Sequence, residues 1–457
     1  MECNKKSGLK EFLENWKLKF KWLKTLKFYL NRTIFITFTL NFQSEVPILK
    51  HREINQKELI MNRMTIPVLI TSLMIMFSCS EAGTETEQPD PPVTPPTQGV
   101  EYFPVPVNAS NVIQSEDQNF RTDIVLEGLS IPWGMAFLPD GRVLITERSG
   151  ALRVVKDGKL VSQPISGVPQ VYAQGQGGLL DVQIHPDFEE NGLIYFSYSR
   201  PGSGGANTAV MRAKLNDMQL TDQEVVFQAV PFSSGGAHFG SRIVFDDDGY
   251  LYISTGDRGQ MNNSQDLGNH SGKVIRLHDD GTIPTDNPFV NQTGALPEIY
   301  TYGNRNVQGM TIHPETREVW SHEHGPRGGD EINIMRSGNN YGWPEITYGI
   351  NYNGTIITDE TEREGMEQPV LHWTPSIAPS GMAFVDGDRY PGWKGDLMSG
   401  ALSLRFLNRT VFDGENVVKE ERLLQNIGRV RNVVLAPDGY LYIAVESTGR
   451  IIRLLPE

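Results

Sequence analysis

The sequence predicts an all-β fold, a six-bladed β-propeller of four-stranded antiparallel sheets, preceded by a disordered or signal-like N-terminal segment. Three observations carry this expectation. One strand–turn–strand unit recurs six times between Ile131 and Glu446, about every sixty residues. The stretches between units have room for two further strands each, and no single long helical pattern interrupts the series.

Residues 1–60 are rich in lysine, with a short apolar run at Ile34 to Phe42, and are read as a basic extension or a mis-assigned start, with translation beginning at Met61 or Met64. Residues 61–79 carry one arginine, then a largely apolar run from Thr65 to Ser78, then Cys79. That run suits a secretory h-region and falls short of the roughly 20 residues of a spanning helix. The segment resembles a bacterial lipoprotein signal peptide, which implies lipidation at Cys79. A cleaved plain signal or a buried apolar strand is the alternative. Residues 80–110 open as SEAGTETEQPDPPVTPPTQG, too polar and proline-rich to pack, and are expected to form a tether. The expected location is therefore outside the cytoplasm, periplasmic or anchored at the outer membrane, with membrane contact only through the lipid.

Charge and cysteine narrow the function classes. Residues 1–78 hold 13 basic and 6 acidic residues, so the remainder carries 28 against 49, a balance of −21. A surface that acidic repels nucleic acid and anionic membrane. Both cysteines, Cys3 and Cys79, precede the globular part, which leaves its core no disulfide framework and no thiolate metal site.

The propeller domain is expected at 111–457. Its units open at Gly134 (GMAFLPDGRVLIT), Gly178 (GLLDVQIHPDFEENGLIYFSY), Gly240 (GSRIVFDDDGYLYIST), Gly309 (GMTIHPETREVWSHE), Gly381 (GMAFVDGDRYPGWKGDLMSG) and Arg431 (RNVVLAPDGYLYIAVE). In the third, Ile243, Phe245, Leu251 and Ile253 alternate with polar or amphipathic neighbours, and Asp248-Gly249 signals the hairpin turn. Such sheets cannot bury both faces alone, and radial stacking protects their edges. A pair of β-sandwiches competes, but predicts no matching turn in every segment.

The same alignment gathers polar residues. His238 precedes the first strand of its unit and Asp257 follows the second, so a hairpin of this length brings imidazole and carboxylate to one sheet edge. Gln176, Arg305, Asn306, Arg429 and Arg431 occupy the position equivalent to His238 in other units. A base, amides and cations around one cavity suit an anionic, oxygen-rich ligand, although arginines at strand ends are often merely solvated. In the segment from Trp320 to Tyr341, Glu323, Asp330 and Glu331 bring three carboxylates into a glycine-rich loop beside the carbonyls of Gly325 and Pro326. Oxygen donors of this kind favour Ca²⁺, and a plain acidic loop paired with Arg327 is the alternative. Zinc through His322 and His324 is disfavoured by their i, i+2 spacing.

From about Phe120 to Leu455 the chain resembles the soluble pyrroloquinoline-quinone (PQQ)-dependent aldose sugar dehydrogenases, the glucose/sorbosone dehydrogenase family. The motifs are QGGLLDVQIHPDF, SRIVFDDDGYLYISTGDRG, SQDLGNHSGKVIRL, YGNRNVQGM, EHGPRGGDEIN with NNYGWP, WTPSIAPSGM and GRVRNVVLAPDGYLYI. The resemblance implies a six-bladed propeller that oxidises aldose sugars to lactones and passes electrons to an external acceptor. It implies His238 as general base oriented by Asp257, and Gln176, Arg305 and Asn306 at the quinone oxygens and substrate. It further implies Arg429 and Arg431 on the quinone carboxylates, Gly325 and Pro326 on the cofactor's Ca²⁺, Glu331 and Tyr341 on a second Ca²⁺, and Trp373 with Pro375 as a substrate wall. One position departs: Ser403 stands where relatives commonly have a lysine, and Arg405 is the candidate replacement if the strand continues regularly. A non-catalytic calcium-stabilised propeller that binds carbohydrate or protein is the alternative function, and a lactone hydrolase using metal-activated water is a third.

Overall fold

Short alternating strands need tight turns, and the hairpin at Asp246 to Tyr250 illustrates how this sequence makes them. Asp246 Oδ1 accepts hydrogen bonds from the backbone N–H groups of Asp248 (3.1 Å) and Tyr250 (2.8 Å), while Gly249 takes φ +80°, a conformation that disfavours other residues. A computed structural model of the protein describes residues 100–457 apart from 107 and 108. The extension at 1–60, the signal-like segment with Cys79 and most of the tether lie outside the described residues.

Strand β1 (Phe120–Leu126) precedes five consecutive four-stranded sheets. Blade 1 holds β2 (Pro132–Phe137), β3 (Val143–Glu147), β4 (Ala151–Lys156) and β5 (Lys159–Leu160); blade 2 holds β6 (Leu179–Ile184), β7 (Leu193–Gly202), β8 (Gly205–Asn216) and β9 (Gln219–Gln228). Blade 3 holds β10 (Ile243–Phe245), β11 (Leu251–Ser254), β12 (Lys273–Leu277) and β13 (Ile299–Tyr302). Blade 4 holds β14 (Val307–Ile312), β15 (Val319–Glu323), β16 (Asp330–Met335) and β17 (Leu371–Trp373). Blade 5 holds β18 (Pro379–Phe384), β19 (Leu397–Ala401), β20 (Leu407–Asp413) and β21 (Asn416–Leu423). Blade 6 is β22 (Val430–Leu435), β23 (Leu441–Val445) and β24 (Arg450–Pro456), completed on its outer edge by β1, which pairs antiparallel with β24. The expected six blades are all present. The closing strand escaped sequence analysis because its partner is at the opposite end of the chain.

The ring closes through its innermost strands: β2, β6, β10, β14, β18 and β22 each lie against the next, and β22 returns to β2. Packed between two neighbours, β2 and β18 are buried at every position, whereas outer β21 alternates exposed and half-buried residues. Apolar cores accordingly fill the six gaps between blades. Leu144, Val182 and Phe196 pack between blades 1 and 2, and Trp320, Ile332 and Phe384 between blades 4 and 5.

Tyr102 and Phe103 correct the expected domain boundary at 111. They are 2% and 3% exposed and fill the gap between blades 6 and 1, with Tyr102 edge-on to Phe137 at 4.8 Å. Two large aromatic side chains in an otherwise polar stretch override its composition. Five of the six inner hairpins shift register in their first strand, for example between Leu179 and Val182 and between Val430 and Asn432. Such bulges re-aim the side chains beside them at the mouth of the ring.

Candidate active site

His238 enters in a left-handed backbone conformation, φ +54°, unusual for a residue with a side chain. Three contacts hold it there. Its N–H donates to Gln176 Oε1 at 2.7 Å, its carbonyl rests where Gly256 has no Cβ to obstruct it, and Arg258 donates to the carbonyls of Gly235 and Ala237 in the same loop. Arg258 is itself stacked over the Phe239 ring at 3.5 Å.

The imidazole and Asp257 meet as the hairpin geometry predicts, Nδ1 to Oδ1 at 2.6 Å. Asp257 Oδ1 also accepts from Gly259 N (2.7 Å), and Oδ2 accepts from the indole Nε1 of Trp343 (2.9 Å). Burial would raise the Asp257 pKa, but the hydrogen bond and charge of His238 together with Arg305 outweigh it and hold the carboxyl below its usual range. An ionised Asp257 can only accept, so Nδ1 carries the proton and Nε2 presents its lone pair.

Trp343 acts on this pair from behind, with the Arg305 guanidinium 5.2 Å from its ring centroid. We expect Trp343→Phe, which keeps the packing and removes the donor, to lower kcat about 10- to 150-fold, the scale of a hydrogen bond to a charged group. The pair requires an ionised Asp257, so activity exists above its titration and is lost as pH falls. With one donor gone the carboxylate grows more basic, and the acid limb of the kcat profile moves to higher pH. An unmoved limb would make Trp343 a packing residue only.

Next to this pair lies a cavity of about 250 Å³ at one mouth of the ring, lined among others by Gln176, Arg148, Arg429, Arg431 and Glu446. Glu446 accepts from Arg429 Nε (2.5 Å) and Arg431 Nε (2.8 Å), and Arg431 Nη1 donates to Gln308 Oε1 (3.0 Å). Burial alone would raise the Glu446 pKa, yet Arg431 and Arg429 carry it below the usual value. Three guanidiniums face one carboxylate, leaving the cavity net positive on a protein whose surface is acidic. Asn306 Oδ1 accepts from Gly240 N at 3.1 Å, while Asn306 Nδ2 and Arg305 Nε are buried without a hydrogen-bond partner among the described residues. Donors in surplus fit a polycarboxylate or quinone-like acceptor.

Arg305 also donates Nη1 to the carbonyls of His324 (2.9 Å) and Gly325 (2.7 Å). A cation held by Gly325 and Pro326 would therefore share the Gly325 oxygen with a guanidinium. The acidic loop divides in a way its composition hides. Asp330 accepts from Gly325 N, Ser376 Oγ and Ala378 N, so it anchors the loop rather than offering a ligand. Glu323 is the direct cross-strand partner of Glu331, and it accepts from the backbone N–H groups of Arg305 and Asn306. Burial raises both glutamates' pKa values, and the Glu323 charge pushes Glu331 further. They line a space of about 10 Å³ with Gly325 and Tyr341. Two repelling carboxylates around an ion-sized gap suit a hard cation. The Tyr341 hydroxyl is committed to Ile334 O (2.5 Å) and Arg336 N (2.8 Å), so only its backbone carbonyl is free to ligate. Among the described residues no cluster of three or more His, Cys, Asp or Glu forms a metal site.

Three expectations need correction. Trp373 is no substrate wall: it is buried between blades 4 and 5, with Nε1 donating to Glu420 Oε1 at 2.6 Å. Arg405 does not continue a strand, because β19 ends at Ala401 and Arg405 sits in the following turn at φ +59°. His322 and His324 do share a face at the end of β15, but each directs Nε2 to a separate carbonyl, Ser380 and Pro379, which removes zinc for a different reason.

Sequence analysis missed Arg148, Arg258, Trp343 and Glu446. A signal existed, since Arg148 and Glu446 directly follow the second strand of their units as Asp257 shortly follows β11. It also missed the plug on the axis, where buried Arg242 bonds Asp181 Oδ1 (3.0 Å), Asn432 Oδ1 (3.1 Å) and the Gln308 carbonyl (3.1 Å).

Comparison with known proteins agrees with this arrangement. Residues 129–453 match the Glucose / Sorbosone dehydrogenase family. The chain is 45% identical over 364 residues to the aldose sugar dehydrogenase YliI of Escherichia coli (strain K12), covering 78% of this chain and 98% of that protein. The crystal structure of the soluble aldose sugar dehydrogenase from Escherichia coli in its apo-form superposes with a TM-score of 0.72 at 45% identity, over 74% of this chain and 100% of the other. The PQQ-bound aldose sugar dehydrogenase of Streptomyces coelicolor gives 0.62 at 28% identity, over 77% and 99%. With a matching profile over most of its length and a homologous aldose sugar dehydrogenase at 45% identity, the chain belongs to the glucose/sorbosone dehydrogenase family.

Proposed function

We propose that this protein oxidises aldose sugars to lactones, with pyrroloquinoline quinone as its cofactor and an external acceptor receiving the electrons. The observation that carries the reading is the His238–Asp257 pair, oriented at 2.6 Å beside a cavity with three guanidiniums and one carboxylate. Asp257 fixes the imidazole so that Nε2 takes the proton of the sugar's anomeric hydroxyl. When bound, the quinone supplies the two-electron acceptor for the hydride that leaves the anomeric carbon. Gln176 buttresses the His238 backbone and faces the same cavity. Arg305 and Asn306 are suited to the oxygens on which negative charge grows, and Arg429 and Arg431 to the cofactor's carboxylates.

Calcium is assigned on the same footing, to the Gly325 and Pro326 carbonyls at the cofactor, and to Glu331 with the Tyr341 carbonyl in the small gap beside Glu323. Chelation of the protein as purified is expected to lower its unfolding free energy by about 3 kcal/mol when Ca²⁺ had stood near 100 times its Kd. Glu331→Gln should abolish that difference in a denaturant melt. An identical loss in the variant would move the stabilising ion elsewhere. Export, with anchoring through Cys79, follows from the apolar run at 65–78 and belongs to the proposal.

The decisive test is reconstitution with Ca²⁺ and the quinone, followed by dye reduction with glucose, xylose and maltose. Turnover supports the enzyme. Absence of turnover on all sugars together with no quinone binding by titration would leave a binding module instead.

A further inference from the structure

We infer that Arg148 is a third guanidinium gripping the anionic side of the cofactor, supplying the cation that Ser403 lacks. This deepens the quinone reading and rests on it. Arg148 follows β3 in blade 1, the blade that closes the ring against blade 6 and its arginines. Its Nη1 donates to the Gly175 carbonyl at 2.7 Å, in the loop that carries Gln176, and its side chain lines the cavity with Arg429, Arg431 and Leu402.

The charge balance singles it out. Glu446 is shared by Arg429 and Arg431, each through Nε. Among the described residues Arg148 has no carboxylate partner, and it lies close enough to Arg431 for its charge, after burial, to help depress that residue's pKa. A half-buried guanidinium beside two like charges is poorly placed unless an anion joins them. A single bond to a backbone carbonyl keeps it turned inward while leaving Nε and Nη2 for a two-pronged grip on a carboxylate. The alternative cation, Arg405, is exposed in the turn after β19 and does not line the cavity. Leu402, next to Ser403, does line it, and its carbonyl accepts from Arg429 Nη1 at 3.1 Å. The segment that carries Ser403 therefore borders, through Leu402, the same cavity that Arg148 lines.

The experiment is a titration of Ca²⁺-loaded apoprotein with pyrroloquinoline quinone, read by quenching of protein fluorescence, for the wild type, Arg148→Gln, Arg148→Lys, Arg405→Gln and Ser403→Lys. Arg148→Gln is expected to weaken quinone binding about 10- to 100-fold, the range for losing a charge-assisted pair. Arg148→Lys should recover part of that loss, and Arg405→Gln should bind as the wild type does. Ser403→Lys tests the idea without touching Arg148: with the carboxylate already matched it should gain less than about threefold, and in the Arg148→Gln background about tenfold. Equal binding by the wild type and Arg148→Gln would overturn the inference and leave the quinone reading intact. So would a tenfold gain from Ser403→Lys alone. No binding by the wild type would instead overturn the cofactor assignment itself.

Discussion

His238→Ala is expected to lower kcat by about 10²- to 10⁴-fold, the range for removing a positioned general base, while the quinone still binds. Among the described residues nothing else near the pair can take over. Asp257 is turned toward Nδ1, the Trp343 indole and Gly259, and Arg305 and Arg258 are cations. His324 is the imidazole that lines the adjoining cavity, but it directs Nε2 to the Pro379 carbonyl, and burial and neighbouring arginines hold its pKa well below the ordinary value. Because His238 sits at φ +54°, alanine carries a backbone cost of its own. Asparagine tolerates that conformation better, so His238→Asn serves as the control. Equal loss in both assigns the effect to the imidazole. Retained turnover in His238→Asn would remove the base from the mechanism.

The largest stability effect is expected on the axis of the ring. Asp181 and Arg242 are both buried, and burial pushes the carboxyl pKa up and the guanidinium pKa down despite their contact at 3.0 Å. Such a pair stabilises little in itself, yet removing one member strands the other. Asp181→Ala should therefore cost about 3–5 kcal/mol of unfolding free energy, measured in urea. The double replacement Asp181→Leu with Arg242→Met should recover most of it. The site would register the single change too, because Arg242 Nε donates to the Gln308 carbonyl and the Gln308 side chain accepts from Arg431. Additive losses in the double variant would mean that the two residues act independently.

The sequence made the ring legible because each inner hairpin repeats the same alternation and turn, as Ile243 to Ile253 does. The closing strand was illegible, since Phe120–Leu126 carries no sign that Arg450–Pro456 will pair with it. Tyr102 and Phe103 were masked by their proline-rich surroundings, although the aromatic pair alone could have argued for burial. The His238–Asp257 contact was readable from hairpin geometry. The same rule applied to every unit would have brought in Arg148 and Glu446, which follow second strands. Trp343 was not reachable that way, because its loop approaches Asp257 from blade 4 and only the folded ring sets the two 2.9 Å apart. Carboxylates in one loop likewise look alike in sequence, and only the hydrogen bonds separate the anchor Asp330 from the cation-poised Glu331.

One measurement bears most directly on the account: an anaerobic titration of the reconstituted protein with a single aldose, following the absorbance of the bound quinone and the lactone formed. The account predicts loss of the oxidised spectrum at one equivalent of sugar per bound quinone, with one equivalent of lactone, and no such change in His238→Ala. An unaltered spectrum in the wild type at excess sugar, with the quinone bound, would contradict it.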